Sequence, residues 1–163
     1  MARARPVPDL RPDQAFATAA ARIVAVRADE LLEHSHGVLD LNEVERVHDM
    51  RVATRRLRAV LEVFRPCFPK KHYKRVIAEL KDLADVLGER RDRDVQIEGL
   101  REFAADLNEG DRAGVERLIE SIDSERPVAN LALATRVTEA HVAELCERLA
   151  ELVAVAEGAG RRA

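Results

Sequence analysis

Val47-His48-Asp49-Met50-Arg51-Val52-Ala53-Thr54-Arg55-Arg56-Leu57-Arg58 reads as a helix with two unlike sides. At about 100° per residue, Met50, Ala53, Leu57, Val60 and Phe64 share one arc, with Leu61 at its edge, which is the pattern of a buried face. His48, Arg51, Arg55 and Arg58 fall within roughly a quarter-turn on the far side, because spacings of three, four and three stack side chains over successive turns. Like charges so placed repel and weaken an isolated helix. A sequence that keeps them calls for carboxylates or a polyanion to neutralise the row.

The rest of the chain fits a helical setting. Its 163 residues suffice for one domain with a single core, 47% of them are apolar and only 3% aromatic, a composition dominated by helix formers. The formal charge of −3 hides a segregation. Between Arg46 and Arg75 stand ten Lys and Arg against two acids, a local charge of +8, so the remainder carries −11. An acidic body with one basic patch disfavours indiscriminate adhesion to nucleic acid or membranes while still drawing a linear anion to one face. Cys67 and Cys146 have no CxxC or Cys/His spacing, which argues against a disulfide framework or a zinc site. The start lacks an apolar signal region and no run reaches the roughly 18 apolar residues of a membrane span, so a cytoplasmic protein is expected.

Pro6, Pro8 and Pro12 mark residues 1–12 as a flexible lead-in, followed by one domain over 13–157 and a short flexible tail at 158–163. The periodicity predicts a first helix from about Pro12 to His34, ending at His36-Gly37, with Phe16, Ala20, Ile23, Ala28 and Leu31 inward. Asn42 with Glu45 three residues on is a capping-box signal that starts helix two near Leu41 to Glu43. Pro66 and Pro69 end that helix. A third, built on Val76, Leu80, Leu83 and Leu87, is expected to stop at Gly88. A fourth is expected to begin close to Asp92, burying Leu100, Phe103, Ala104 and Leu107. Val115, Leu118, Ile119 and Ile122 make a fifth segment, interrupted around Pro127. Thr135 to Ala156 makes the last, whose Val142, Leu145, Leu149, Leu152 and Ala156 suit packing in the core or against a second chain. The fold class read from this is all-α: an antiparallel four-helix bundle with one or two additional C-terminal helices.

The run from Val47 to Arg58 closely resembles the signature of the conserved histidine α-helical domain, the CHAD family. Leu87-Gly88 followed by Arg91-Asp92-Arg93-Asp94-Val95 resembles the Leu-Gly-x-x-Arg-Asp-x-Asp-Val segment of the same family, over a detailed likeness of about residues 15 to 108. The resemblance implies an all-helical, non-catalytic module that binds inorganic polyphosphate along a basic channel between two pseudo-symmetric bundles. This chain carries one half-site and stops before a second His-containing basic helix, so either a homodimer rebuilds the channel, which is the expectation, or the affinity is reduced.

Arginine suits phosphate because its planar, permanently charged guanidinium donates two parallel hydrogen bonds. Arg51, Arg55 and Arg58 take that role, with helix turns about 5.4 Å apart matching a linear polyanion in register. Arg56 sits at the edge of the stripe. A phosphate beside His48 favours its imidazolium, so binding should strengthen as pH falls. Lys74 and Lys81 align on helix three, and the resemblance carries over Lys81 most specifically. Arg91 is placed at the start of helix four, where free N–H groups already favour an anion. Asp92 and Asp94 are read as caps that also hold arginines. No nucleophile, carboxylate dyad or Gly-rich loop accompanies the cations, so neither enzyme activity nor a cofactor or metal is expected. A nucleic-acid binder is the alternative, disfavoured by the lack of aromatic stacking platforms. A further alternative is an accessory scaffold to a phosphoanhydride hydrolase. Association with cytoplasmic polyphosphate granules follows from the leading reading.

Overall fold

The structure, a computed structural model, describes residues 3–161. Five helices follow one another: α1 (Phe16–Ser35), α2 (Val44–Val63), α3 (Lys70–Ala105), α4 (Glu109–Ala134) and α5 (Glu139–Gly160), with a short 3-10 turn at Arg65–Cys67. No strand is present among the described residues, and the all-α bundle is as expected.

The core sits where α1, α2, α5 and the first half of α3 meet. Ala20, Ala21, Val24 and Leu31 of α1 close over Met50, Leu57 and Leu61 of α2, Val76, Leu80, Leu83 and Leu87 of α3, and Leu145, Leu149, Leu152 and Ala156 of α5. The inward arc expected of α2 is therefore buried, with Val60 half-buried at its margin. The apolar repeat of α5 is taken up inside the chain, chiefly against α1. On α1 the buried face runs through Ala21, Val24, Arg27 and Glu30, while Phe16 stays exposed and leans on Phe64 at 4.7 Å between ring centroids. The stretch before α1 is held along it: the Arg5 backbone amide donates to Glu30 and the Arg5 carbonyl accepts from Arg27 Nη2 at 2.6 Å.

Two expected helix ends are not there. α3 passes through Gly88 for 36 residues, about 54 Å at 1.5 Å per residue. A helical glycine costs about 1 kcal/mol relative to alanine, but the buried stripe continues past it through Arg90, Asp94 and Ile97, and packing outweighs that cost. The expected third and fourth helices are thus one. Likewise α4 runs through Pro127. A proline there removes a helical hydrogen bond and costs about 3 kcal/mol. Around it Arg126 Nη2 donates to the Leu41 carbonyl at 2.5 Å and Asn130 Nδ2 to the Leu39 carbonyl at 2.8 Å, while Ala129 and Leu133 are buried. Asn42 does not cap α2: Glu43 is the N-cap residue and makes no side-chain cap bond, and Asn42 donates its backbone N–H to Asp40 Oδ1 at 2.9 Å.

Because α3 overshoots the 20-residue α2, its far half pairs with α4 as a hairpin beyond the core. Phe103, expected inward, is 60% exposed there. Arg112 closes the hairpin tip, donating through Nε to the Ala104 carbonyl at 3.2 Å and through Nη2 to that of Leu107 at 3.1 Å, which satisfies carbonyls left over at the end of α3. Asn108 and Thr138 accept from Asp111 and His141 amides and start α4 and α5.

Candidate functional site

A cleft of about 520 Å³ opens between α2 and α3. Its α2 wall is His48, Arg51, Arg55 and Arg58, the four side chains that helical spacing stacks, with Val52 beside them. Met50, Leu57 and Leu61 bury the opposite face of α2, and that burial turns the cationic stripe toward the cleft. Arg51 and Arg55 are exposed, His48 and Arg58 half-buried. The Nε of Arg58 is buried with no hydrogen-bond partner.

The α3 wall is Ala84, Asp85, Gly88, Glu89 and Asp92. The cleft is thus cationic on one side and acidic on the other, where a patch almost without carboxylates was expected. Small side chains at Ala84 and Gly88 leave the floor open, and a Cβ added at Gly88 would meet nothing within 4 Å.

The remaining expected site residues lie elsewhere. Lys74 and Lys81 are exposed on α3 and do not line the cleft. Their spacing places them on the face that carries Asp85 and Asp92, nearer the start of α3. Arg91 does not stand at a helix N-terminus, since α3 is unbroken there. It is mostly buried, 3.9 Å from Glu45 and 3.8 Å from Glu98, and the dipole argument for it fails. Arg56 is half-buried, and its charge is among those acting on Glu30 of α1. Burial raises the Glu30 pKa, but the Arg5 amide, the Arg27 guanidinium and Arg56 together hold it below the ordinary value of 4.5.

Asp92 and Asp94 cap no helix, because both lie mid-way along α3. Asp94 does hold arginines. It ion-pairs with Arg90 one turn earlier and with Arg126 Nε of α4 at 3.0 Å, in a pocket where Arg90 is 0% and Asp94 5% exposed. Through the Arg126 bond to the Leu41 carbonyl this buried group fixes the turn that feeds α2. In that turn Gly37 has φ +69°, and a Cβ there would press on the Arg46 guanidinium at 3.3 Å. At the entrance to α2, Glu45, His48 and Asp49 bring ligand atoms within 4.8 Å of one another. Cys67 and Cys146 are both free, and burial pushes both thiols up.

The structure thus sets a cationic row on α2 across from a continuous α3 that carries the Leu87 to Val95 segment, in an all-helical domain. The chain belongs to the CHAD domain family, whose family model matches residues 22–163. It is also similar to the uncharacterized protein Rv2226 of Mycobacterium tuberculosis (strain ATCC 25618 / H37Rv), at 39% identity over 74 residues, which is 45% of this chain and 14% of that protein. The match spans about a seventh of that relative's length. No solved structure matches the chain. No helix among the described residues is long and apolar enough to cross a membrane.

Proposed function

We propose that the chain is a non-catalytic module that binds inorganic polyphosphate in the cleft between α2 and α3. The observation that carries this reading is the row His48, Arg51, Arg55 and Arg58 along one cleft wall, with none of the three arginines in an ion pair among the described residues, in a chain of this family. Unpaired guanidiniums stacked at one-turn spacing are suited to successive phosphates of a linear chain. Lys74 and Lys81 extend the same course along α3 as outer contacts. Arg56 and Arg91, already engaged with carboxylates, are assigned supporting roles in the fold.

A homodimer completing the channel belongs to the same proposal. The repeat of α5 no longer argues for it, since that face is buried in the chain's own core. What supports it is the cationic row on the α2 wall of the cleft, which a second copy could extend. Placement in the cytoplasm with polyphosphate granules is the setting such binding would serve. The nucleic-acid alternative lacks a stacking platform: Phe64 and Phe68 are buried, and Phe16 and Phe103 do not line the cleft.

Calorimetric titration with long-chain polyphosphate at several salt concentrations tests the reading, comparing the wild type with Arg51→Ala/Arg55→Ala. Tight binding with a log–log salt slope of about −2 to −3, as expected for release of counterions by three or four cations, and loss of at least tenfold in the variant are the expected results. One polymer per two chains supports the dimer. No binding at low salt, or equal competition by RNA at matched phosphate concentration, refutes the polyphosphate assignment.

A further inference from the structure

Arg51, Arg55 and Arg58 on α2 stand across the cleft from Asp85, Glu89 and Asp92 on α3. None of these six side chains is in an ion pair among the described residues. Each wall is fixed by the core stripe behind it, Met50, Leu57 and Leu61 on α2 and Leu80, Leu83 and Leu87 on α3, so the two rows keep their separation. Three positive charges set against three negative ones leave the cleft near neutral. An anion that fits wholly inside it gains from one wall much of what it loses to the other. The balance ends where the acids end. α2 starts beside Arg91, whose guanidinium lies 3.9 Å from Glu45, and runs back toward the start of α3, so the Arg58 end of the cleft opens toward Lys81 and Lys74. Both lysines are exposed and in no ion pair among the described residues. Helical spacing puts them on the face of α3 that carries Asp85 and Asp92.

Resting on the polyphosphate reading, we propose that the site selects its ligand by length: Asp85, Glu89 and Asp92 cancel the cleft's pull on short phosphate anions, and only a chain that runs out of the cleft onto Lys81 and Lys74 is held. The course is long. At 1.5 Å per residue, His48 to Arg58 covers about 15 Å of α2, and Asp92 to Lys74 covers about 27 Å of α3. Tripolyphosphate seated against the arginines stays in the balanced part of this course. A longer chain keeps the arginine contacts and adds two cations that face no carboxylate, each a further counterion released. Selection therefore has two separable parts. The acids set the weakness of short anions, and the lysines supply the gain that comes with length. A uniformly cationic trough would have neither part, because each phosphate added to the chain would contribute alike.

The test is titration of the full chain with sodium tripolyphosphate and with long-chain sodium polyphosphate, compared at equal phosphate concentration and equal low ionic strength. The proteins are the wild type, Asp85→Asn/Glu89→Gln and Lys74→Ala/Lys81→Ala. All four substituted residues are exposed, so both variants should melt like the wild type. The wild type should bind the long chain at least about tenfold more tightly than tripolyphosphate. Neutralising the acids should tighten tripolyphosphate binding at least about tenfold. Removing the lysines should cost about tenfold for the long chain and reduce its salt slope by about one to two. Length selection is overturned, with polyphosphate binding left standing, by any one of three results: wild-type affinity for tripolyphosphate equal to that for the long chain, no tightening in the acid variant, or long-chain affinity unmoved in the lysine variant. A wild type that binds neither anion, with no binding gained in the acid variant, overturns the polyphosphate reading and length selection with it.

Discussion

Asp94→Asn strips the charge from the carboxylate that Arg90 and Arg126 share while keeping its size. In the native chain Arg90 is wholly buried, and its charge is compensated by Asp94 alone among the ion pairs of the described residues. Arg126 has two further partners, Asp123 Oδ1 at 2.7 Å and the Leu41 carbonyl, so it tolerates the loss better. Leaving one partner of a buried pair uncompensated costs about 3–5 kcal/mol. For a domain of this size each kcal/mol lowers the melting midpoint by about 2–4 °C, so a fall on the order of 10 °C is expected, read by circular dichroism at the helical band. Adding Arg90→Met to Asp94→Asn removes the stranded charge and should recover most of the loss, since a buried ion pair replaced by apolar groups is often neutral. A drop of less than about 2 °C for Asp94→Asn, or no recovery in the double variant, would refute the claim that Arg90 is a desolvated charge held by Asp94.

Gly99→Ala, in the exposed part of α3 where an added Cβ meets nothing within 4 Å, should stabilise by about 0.5–1 kcal/mol in urea unfolding, whereas Gly37→Ala, at φ +69° against Arg46, should destabilise by about 1 kcal/mol or more. Glu30 has a folded pKa below 4.5, so its contribution is present above that value and is lost as pH falls through the folded pKa. The stability of Glu30→Gln should therefore fall less steeply than that of the wild type between pH 5 and pH 3, and parallel curves would show that Glu30 is not the titrating group. Lys81→Ala should weaken polyphosphate binding by a few-fold and reduce the salt slope by about one, while Arg91→Ala should leave the salt slope unchanged; the reverse ranking would place the anion on the other side of α2.

The helical class and most of the core were legible because periodicity reports burial directly. The arc from Met50 to Phe64 and the stripe from Val76 to Leu87 are both buried where the spacing put them. Helix ends were harder, for a physical reason. Gly88 and Pro127 are local stop signals worth about 1 and 3 kcal/mol, and each was overridden by contacts distant in sequence: the buried stripe on both sides of Gly88, and Arg126 and Asn130 reaching back more than eighty residues to the carbonyls of Leu41 and Leu39. A capping box at Asn42 failed similarly, because Asp40 accepts from the Asn42 amide first.

That single break at Gly88 also explains what was missed in the site. Lys74, Lys81, Asp85, Gly88 and Asp92 lie on one helical face at spacings of seven, four, three and four, but only if the helix is continuous. Ending it at Gly88 cut the row in two, turned Asp92 into a supposed cap and put Arg91 at a helix start that does not exist. With the helix unbroken, the same residues show that the face opposite the arginines is basic near the start of α3 and acidic from Asp85 onward. A wall that changes sign along its length cannot act as a uniform electrostatic trough. On the proposed reading, a polyanion would be favoured along α3 near Lys74 and Lys81 and opposed beside Asp85, Glu89 and Asp92. Moving the sign boundary by Asp85→Lys should therefore tighten polyphosphate binding and steepen its salt dependence by about one to two without altering the α2 arginines, and unchanged affinity and salt slope in that variant would show that the acidic wall does not face the ligand.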